Sequence, residues 1–413
     1  MSFLTLLVSI VLPGLLIAFF FLKRRDSRIE KPKETDEKEG TQPKSIAPKE
    51  NTHKEKKTHK MVKQKAPKMF VPDHELFVVA LRGHTEPVTC FCWSRDGKLI
   101  ATASTDRSIR VYYSATLKSG TPKLLRVSTE LEDVETMDFT PDNRYLVCAY
   151  SSSRKIGIFR LTPEGGSLFR EFPIERGYYP TRLFVSETGE RMCIVVVCGD
   201  KDTVLRVYDG SGTLKARVDN AQLENYGSAF NYHRDFFATG SFAPDSKVYA
   251  ITRATTTREF AKFGKVMVLA GPRSSVFDVA FDQHDRAAAI SKDGFFYLWT
   301  VDVRYQLSED PRLLSRAEVS KEARHVALHP TEDIALVTAG RECVLLNCVT
   351  GETLRTISEV SGFPVSDLRT SPDGSYFAVL GANEKQVLVW RYALCVCLEM
   401  RCGVSVNCVD YGW

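Results

Sequence analysis

The chain has 413 residues, 56 Lys+Arg against 51 Asp+Glu for a net charge of +5, and 43% apolar residues. That near-average balance excludes a wholly disordered chain and a multi-span membrane protein. Eleven Cys with no C-x-x-C pair exclude a disulfide scaffold and give no sign of zinc or thioredoxin-like redox chemistry.

Residues 2–22, S-F-L-T-L-L-V-S-I-V-L-P-G-L-L-I-A-F-F-F-L, contain no charge. About 20 apolar residues span a hydrocarbon core of ~30 Å, so the stretch is expected to be a transmembrane anchor. Pro13-Gly14 is compatible with a kinked span. The rival reading, a cleaved signal peptide, lacks its basic n-region and small-residue cleavage site. Lys23, Arg24, Arg25 and Arg28 follow at once, and the positive-inside rule then leaves the N-terminus luminal and the remainder cytosolic.

From residue 23 to residue 70 the chain carries 16 Lys+Arg and 8 Asp+Glu, a local excess of +8. Apolar residues almost vanish and Pro recurs, so the segment reads as a disordered tether. Within it Lys54, Lys56, Lys57, Lys60, Lys63, Lys65 and Lys68 make one basic run. A solvated spacer, an anionic-lipid contact and an RNA or ribosome contact all remain open, although the run lacks the aromatic residues that stack bases.

The clearest unit of the remainder is Gly83-His84, then V-T-C-F-C-W up to Trp93, a turn at Asp96-Gly97, a strand over 99–103, a turn at Thr105-Asp106-Arg107 and a strand from Ile109. The position of Trp93 recurs at Phe139, Val185, Phe230, Phe281, Leu328 and Thr370, at spacings of 46, 46, 45, 51, 47 and 42. A period near 45 with three or four short strands per unit predicts an all-β, seven-bladed propeller over 71–394. The last unit lacks an outer strand of its own. Residues 75–82, E-L-F-V-V-A-L-R, are expected to supply it and close the ring, since an unpaired edge invites aggregation.

On these units the chain resembles the tryptophan–aspartate (WD) repeat family, in degenerate form. Only one Gly-His survives, Gly83-His84, and the terminal Trp survives as Trp299 and Trp390. In that family a His, a strand Ser/Thr, a turn Asp and the Trp form a hydrogen-bonded chain. Here the resemblance assigns His84, Thr102 or Ser104, and Asp106 to it, with Tyr112 in place of the Trp. His84 is thereby structural, not a metal ligand or base. Asp106, Asp202, Asp245 and Asp293 fall in matching turns and are expected to cap them. Together with the anchor and the linker, stretches such as Ala238 to Tyr249 and Asp310 to Leu314 resemble endoplasmic-reticulum-anchored scaffolds of the family. That resemblance implies a reticulum membrane location, a cytosolic propeller, and partners in the unfolded-protein response, among them the stress-sensing eIF2α kinase of that membrane.

After Leu394 the chain departs from that pattern. Residues 395–413 hold Cys395, Cys397, Cys402 and Cys408 in an apolar alternation. They read as a strand competing for the closing position or, preferably, as an alternative C-terminus; the Cys spacing matches no recognised zinc site. No G-x-S-x-G, P-loop, H-E-x-x-H or G-x-G-x-x-G after a strand occurs, so no enzyme, cofactor or small-molecule substrate is expected. Protein docking is instead assigned to loops rich in Tyr and Arg: Arg176, Tyr178, Tyr179 and Arg182 before the third unit, Phe242 in the fourth and Arg273 before the fifth. Two functions stand at this point, a protein-recruiting membrane scaffold and a membrane-tethered RNA or ribosome adaptor.

Overall fold

A computed structural model describes residues 69–392 except Asp200. The expected span 2–22, the lysine run from Lys54 to Lys68 and the tail 395–413 lie outside the described residues. Among the described residues no helix is long and apolar enough to cross a membrane.

The described chain is built from 28 strands. β1 (Phe77–Leu81) is followed by β2 (Val88–Trp93), β3 (Leu99–Ser104), β4 (Ser108–Tyr113) and β5 (Leu124–Ser128). Next come β6 (Val134–Phe139), β7 (Tyr145–Tyr150), β8 (Lys155–Thr162) and β9 (Gly165–Pro173), then β10 (Pro180–Val185), β11 (Cys193–Cys198), β12 (Val204–Asp209) and β13 (Leu214–Asp219). β14 (Asn225–Phe230), β15 (Phe236–Ser241), β16 (Ser246–Arg253) and β17 (Phe260–Leu269) precede β18 (Val276–Phe281), β19 (Arg286–Ser291), β20 (Phe295–Thr300) and β21 (Arg312–Glu318). The rest are β22 (Ala323–Leu328), β23 (Ile334–Ala339), β24 (Glu342–Asn347), β25 (Thr353–Ile357), β26 (Val365–Thr370), β27 (Tyr376–Gly381) and β28 (Val387–Arg391).

Local chemistry explains the hairpins. In the β2–β3 turn, Ser94 Oγ donates to Asp96 Oδ1 (2.8 Å), which also accepts from Lys98 N (3.1 Å), while Leu99 N donates back to Ser94 Oγ (2.9 Å). The same module recurs with Thr140 and Asp142 before β7, and with Ser371 and Asp373 before β27. Each needs one residue at positive φ, supplied by Gly97, Asn143 and Gly374, the residue types that enter the left-handed region most easily.

The strands pair into five four-stranded sheets and one eight-stranded sheet. Within the larger one, β2–β5 and β6–β9 meet only at a parallel bridge from Val127 to Gly166. Second strands such as β11 (C-I-V-V-V-C) are buried throughout, because a neighbouring sheet covers each face. Outer strands such as β13 (L-K-A-R-V-D) alternate half-buried and exposed positions, since one face meets solvent.

β2, β6, β10, β14, β18, β22 and β26 surround a shared central cavity. In each, the pairing slips one residue near the strand start: between Val88 and Cys90, Val134 and Thr136, Pro180 and Arg182, Asn225 and Gly227, Val276 and Asp278, Ala323 and His325, and Val365 and Asp367. Such a bulge re-aims the extra side chain. The ring closes as the sequence suggests: β1 pairs antiparallel with β28, Leu81 opposite Val387 and Phe77 opposite Trp390. Phe70, read from sequence as the last tether residue, belongs to the folded part. Its carbonyl accepts from Gln386 Nε2 (2.6 Å) and its ring lies 5.8 Å from the Arg341 guanidinium, so apolar contact extends the domain one residue beyond the charge boundary.

Candidate functional site

The connections that enter the inner strands, together with those between second and third strands, share one face. Its scaffold begins with the buried His84. Asp106 is acceptor-only when ionised, so His84 Nδ1–H donates to Asp106 Oδ2 (2.9 Å), leaving Nε2 to accept from Thr102 Oγ1 (2.9 Å). Of the two strand partners open from sequence, the structure selects Thr102; Ser104 bonds the Glu86 carbonyl instead (2.9 Å). Tyr112 OH reaches the Arg82 carbonyl (3.0 Å).

The other units solve the same problem differently. In the fourth, Gln222 stands where His84 does: its Oε1 accepts from Thr239 Oγ1 (2.7 Å) and its Nε2 donates to the Asp245 carbonyl (2.7 Å). Sequence reading missed it. The signal was a polar side chain 17 residues ahead of a strand Thr, against 18 for His84 and Thr102. In the third, Arg206 pairs with buried Asp202 and donates to Glu175 Oε2 (3.1 Å). Bonds from Arg217, then Arg206, hold the Glu175 carboxyl below its usual range. In the fifth, Asp293 Oδ2 accepts from Arg273 N (2.9 Å) and Tyr297 OH (2.8 Å), and Trp299 Nε1 donates to the Ala270 carbonyl (3.0 Å). Asp202 and Asp293 also accept from backbone N–H groups in their own turns. Asp245 departs from its expected capping role: its side chain is exposed and only its carbonyl takes part. Trp390 is fully buried and stacked on Phe377.

Burial depresses the His84 imidazole below its ordinary value, against the pull of Asp106, and burial does the same to His329. The unfolded chain therefore takes up protons first. This contribution is complete above the ordinary histidine value near 6.5 and is lost as pH falls below it. Melting temperature is expected to drop between pH 7.5 and 5.5. His84→Gln, which copies Gln222, is expected to shallow that slope while costing no more than about 1–2 kcal/mol at pH 7.5. An unchanged slope in urea or thermal melts would count against the neutral buried ring.

The central cavity, about 220 Å³, is ionic. Asp138 pairs with Arg234 (2.6 Å), Asp367 with Arg369 (3.2 Å), and Asp278 lies 3.7 Å from His325. Burial opposes ionisation of Asp367, yet Arg369 and then Arg182 hold its carboxyl below the usual range.

The loop residues assigned to docking separate. Arg182 lines the cavity and donates to the Thr181 carbonyl (3.2 Å). Tyr178 is half-buried under the Arg206 guanidinium, 4.7 Å from its ring, and packs on the core between second and third units. Tyr179 is half-buried and its carbonyl accepts from Gly199 N (2.8 Å). Arg176 is exposed at a turn with φ 56°. Phe242, 63% exposed, and the exposed Arg273 stand close on the connection face, because Ser275 Oγ donates to the Phe242 carbonyl (3.0 Å). Beside them, Leu223 is 53% and Tyr226 36% exposed, two residues that sequence reading did not select.

Among the described residues no three His, Cys, Asp or Glu side chains converge as a metal site. The described cysteines are buried, and burial pushes the Cys90 thiol up to about 12 and Cys348 to about 11. A thiol so protonated is a poor nucleophile.

The WD domain, G-beta repeat family matches residues 75–112, the segment holding β1 to β4 and the His84 chain. The chain is 25% identical over 344 residues to transducin beta-like protein 2 of Mus musculus, covering 81% of this chain and 77% of the relative. The Homo sapiens protein of that name is 25% identical over 339 residues, covering 79% and 75%. The solved β-propeller domain of Cps50 (Swd1) from Myceliophteria thermophila superposes with a TM-score of 0.57 at 12% identity, over 77% of this chain and 99% of that one. The chain thus has a β-propeller fold, matches a WD repeat over residues 75–112, and resembles transducin beta-like protein 2 across four-fifths of its length.

Proposed function

We propose that this protein is a non-enzymatic scaffold anchored in the endoplasmic-reticulum membrane through residues 2–22, with a cytosolic propeller that recruits proteins of stress signalling. Counting each half of the eight-stranded sheet as a unit gives that propeller seven four-stranded blades. The observation that carries the reading is the group of exposed apolar side chains, Leu223, Tyr226 and Phe242, standing at and beside the ends of the paired strands β14 and β15 on one face. Monomeric surfaces seldom group large apolar side chains, and loops on a stiff frame are where binding concentrates. The uncharged run 2–22 followed by Lys23, Arg24, Arg25 and Arg28 supports the anchor and its orientation. The stress-sensing eIF2α kinase is the partner suggested by the resemblance.

Proximity labelling with the full chain tests this. Leu223→Ala/Phe242→Ala is expected to lower labelling of most partners at least fivefold, with Tyr178→Ala/Tyr179→Ala as the comparison. Unchanged labelling with the first pair, or loss only with the second, moves the site elsewhere. Loss of labelled RNA-binding proteins on deleting 23–70, with protein partners of the propeller unaffected, would favour the adaptor function of the basic tether.

A further inference from the structure

The bulges of three consecutive inner strands place unlike residues side by side. Tyr226, Phe277 and Arg324 are the extra residues of β14, β18 and β22. Tyr226 and Phe277 rings are 5.8 Å apart, and the Arg324 guanidinium lies 4.2 Å over Phe277. The result is an aromatic–aromatic–guanidinium row running across the connection face from the fourth unit to the sixth. Arg324 is exposed, and its Nη1 donates to the Lys321 (3.1 Å) and Ala323 (2.9 Å) carbonyls. Stacked and tethered by one nitrogen, the guanidinium keeps Nε–H and Nη2–H groups for a bidentate acceptor.

Charge divides along this row. Toward the Arg324 end Lys292 and Lys321 are also exposed, as is Arg273 beside Phe242, and no ion pair joins any of these four cations among the described residues. The nearby Asp293 is spent on Arg273 N and Tyr297 OH, which leaves Glu322 as the exposed counter-charge there. At the other end lie apolar Leu223 and Phe242, and the exposed Glu224 carboxylate accepts from Tyr226 OH (2.9 Å).

Resting on the scaffold function proposed above, we infer that the Tyr226–Phe277–Arg324 row docks a peptide segment of a protein partner in which an aromatic or aliphatic anchor is followed by Asp or Glu carboxylates. The anchor packs between Tyr226 and Phe242, and a carboxylate takes the free edge of Arg324. Charge-assisted bidentate bonds give such a contact its specificity, and the surrounding lysines speed its encounter.

The test uses the full chain in detergent micelles and fluorescence anisotropy. The probe is a labelled dodecapeptide with a Leu-Trp anchor followed by glutamates; its partners are the same peptide with lysines and the same with glutamines. The glutamate peptide is expected to bind at least tenfold tighter than either. Arg324→Glu is expected to abolish that preference and Arg324→Lys to retain part of it, since an ammonium cannot form the fork. Equal binding of the three peptides, or a preference that Arg324→Glu leaves intact, overturns the inference. Binding of phosphatidylserine vesicles that depends on Arg324, with none of the peptide, overturns it as well. Carbodiimide coupling then separates it from the broader scaffold function: partners that co-purify without any zero-length link from Lys292 or Lys321 to a carboxylate sink this inference alone, whereas an absence of co-purifying partners sinks the scaffold.

Discussion

Deleting residues 69–82 is expected to abolish the cooperative melting transition of the propeller. Those residues hold β1, the fourth strand of the sheet ordered β1-β28-β27-β26. Leu76, Val79 and Leu81 are 3%, 6% and 1% exposed, and they join clusters that reach both β2–β3 and β23–β28. Burying one such side chain is worth roughly 1.5–3 kcal/mol. Losing several at once removes most of a typical stability of about 5–15 kcal/mol. The deletion also strips β28 of its outer partner, exposing an unpaired edge that carries Trp390. Circular dichroism melts and size-exclusion profiles check the result, and adding a synthetic 69–83 peptide is expected to restore part of the transition. A truncated protein with unchanged melting would show that the ring does not depend on this closure.

The second large effect is expected at Asp138. Its Oδ1 accepts from Phe139 N (3.0 Å), and its Oδ2 accepts from Val185 N (2.9 Å) and from Arg234 Nη1 (2.6 Å). One carboxylate thus ties β6 to β10 and to the β14–β15 turn, with side-chain exposure of 7% for Asp138 and 18% for Arg234. Asp138→Ala removes the carboxylate from two backbone N–H groups, Phe139 and Val185, and leaves a largely buried guanidinium with only the Val185 carbonyl (3.3 Å), at a cost of about 3–5 kcal/mol. Adding Arg234→Met is expected to recover part of that loss, because the orphaned charge is then gone. Urea denaturation of the single and double variants measures both. A cost under about 1 kcal/mol would mean that water replaces the lost partners in the cavity.

How much of this was readable in advance differs by feature. The repeat, the hairpin turns and the closing strand were legible because each is encoded within about ten residues. Ser94-Arg95-Asp96-Gly97 builds its turn from its own side chains. The alternation in 75–82 marks a strand wherever its partner lies. The His84 chain was legible for a related reason, because one turn and one strand bring its members together. Gln222 was missed because its chemistry matches that of His84 while its residue type does not. Tyr226 and Phe277 were missed because a period-2 pattern does not announce a bulge, and only the slipped pairing turns them onto the face. Tyr178 and Tyr179 invited a docking assignment by composition, yet both are half-buried, and Arg206, 28 residues on from Tyr178, stacks over its ring.

By itself, then, the sequence determined the all-β class, the period near 45, the pairing of the first strand with the last repeat, and the separation of residues 23–70, at +8, from a following remainder at −3. These depend on local patterning and composition, which act over short stretches of chain. The tertiary structure alone decided which polar residues meet. Asp138 finds Val185 across 47 residues and Arg234 across 96, and Arg324 reaches the Phe277 ring from the next inner strand. Such encounters follow from ring curvature and bulge position, and neither is encoded in the residues that end up in contact.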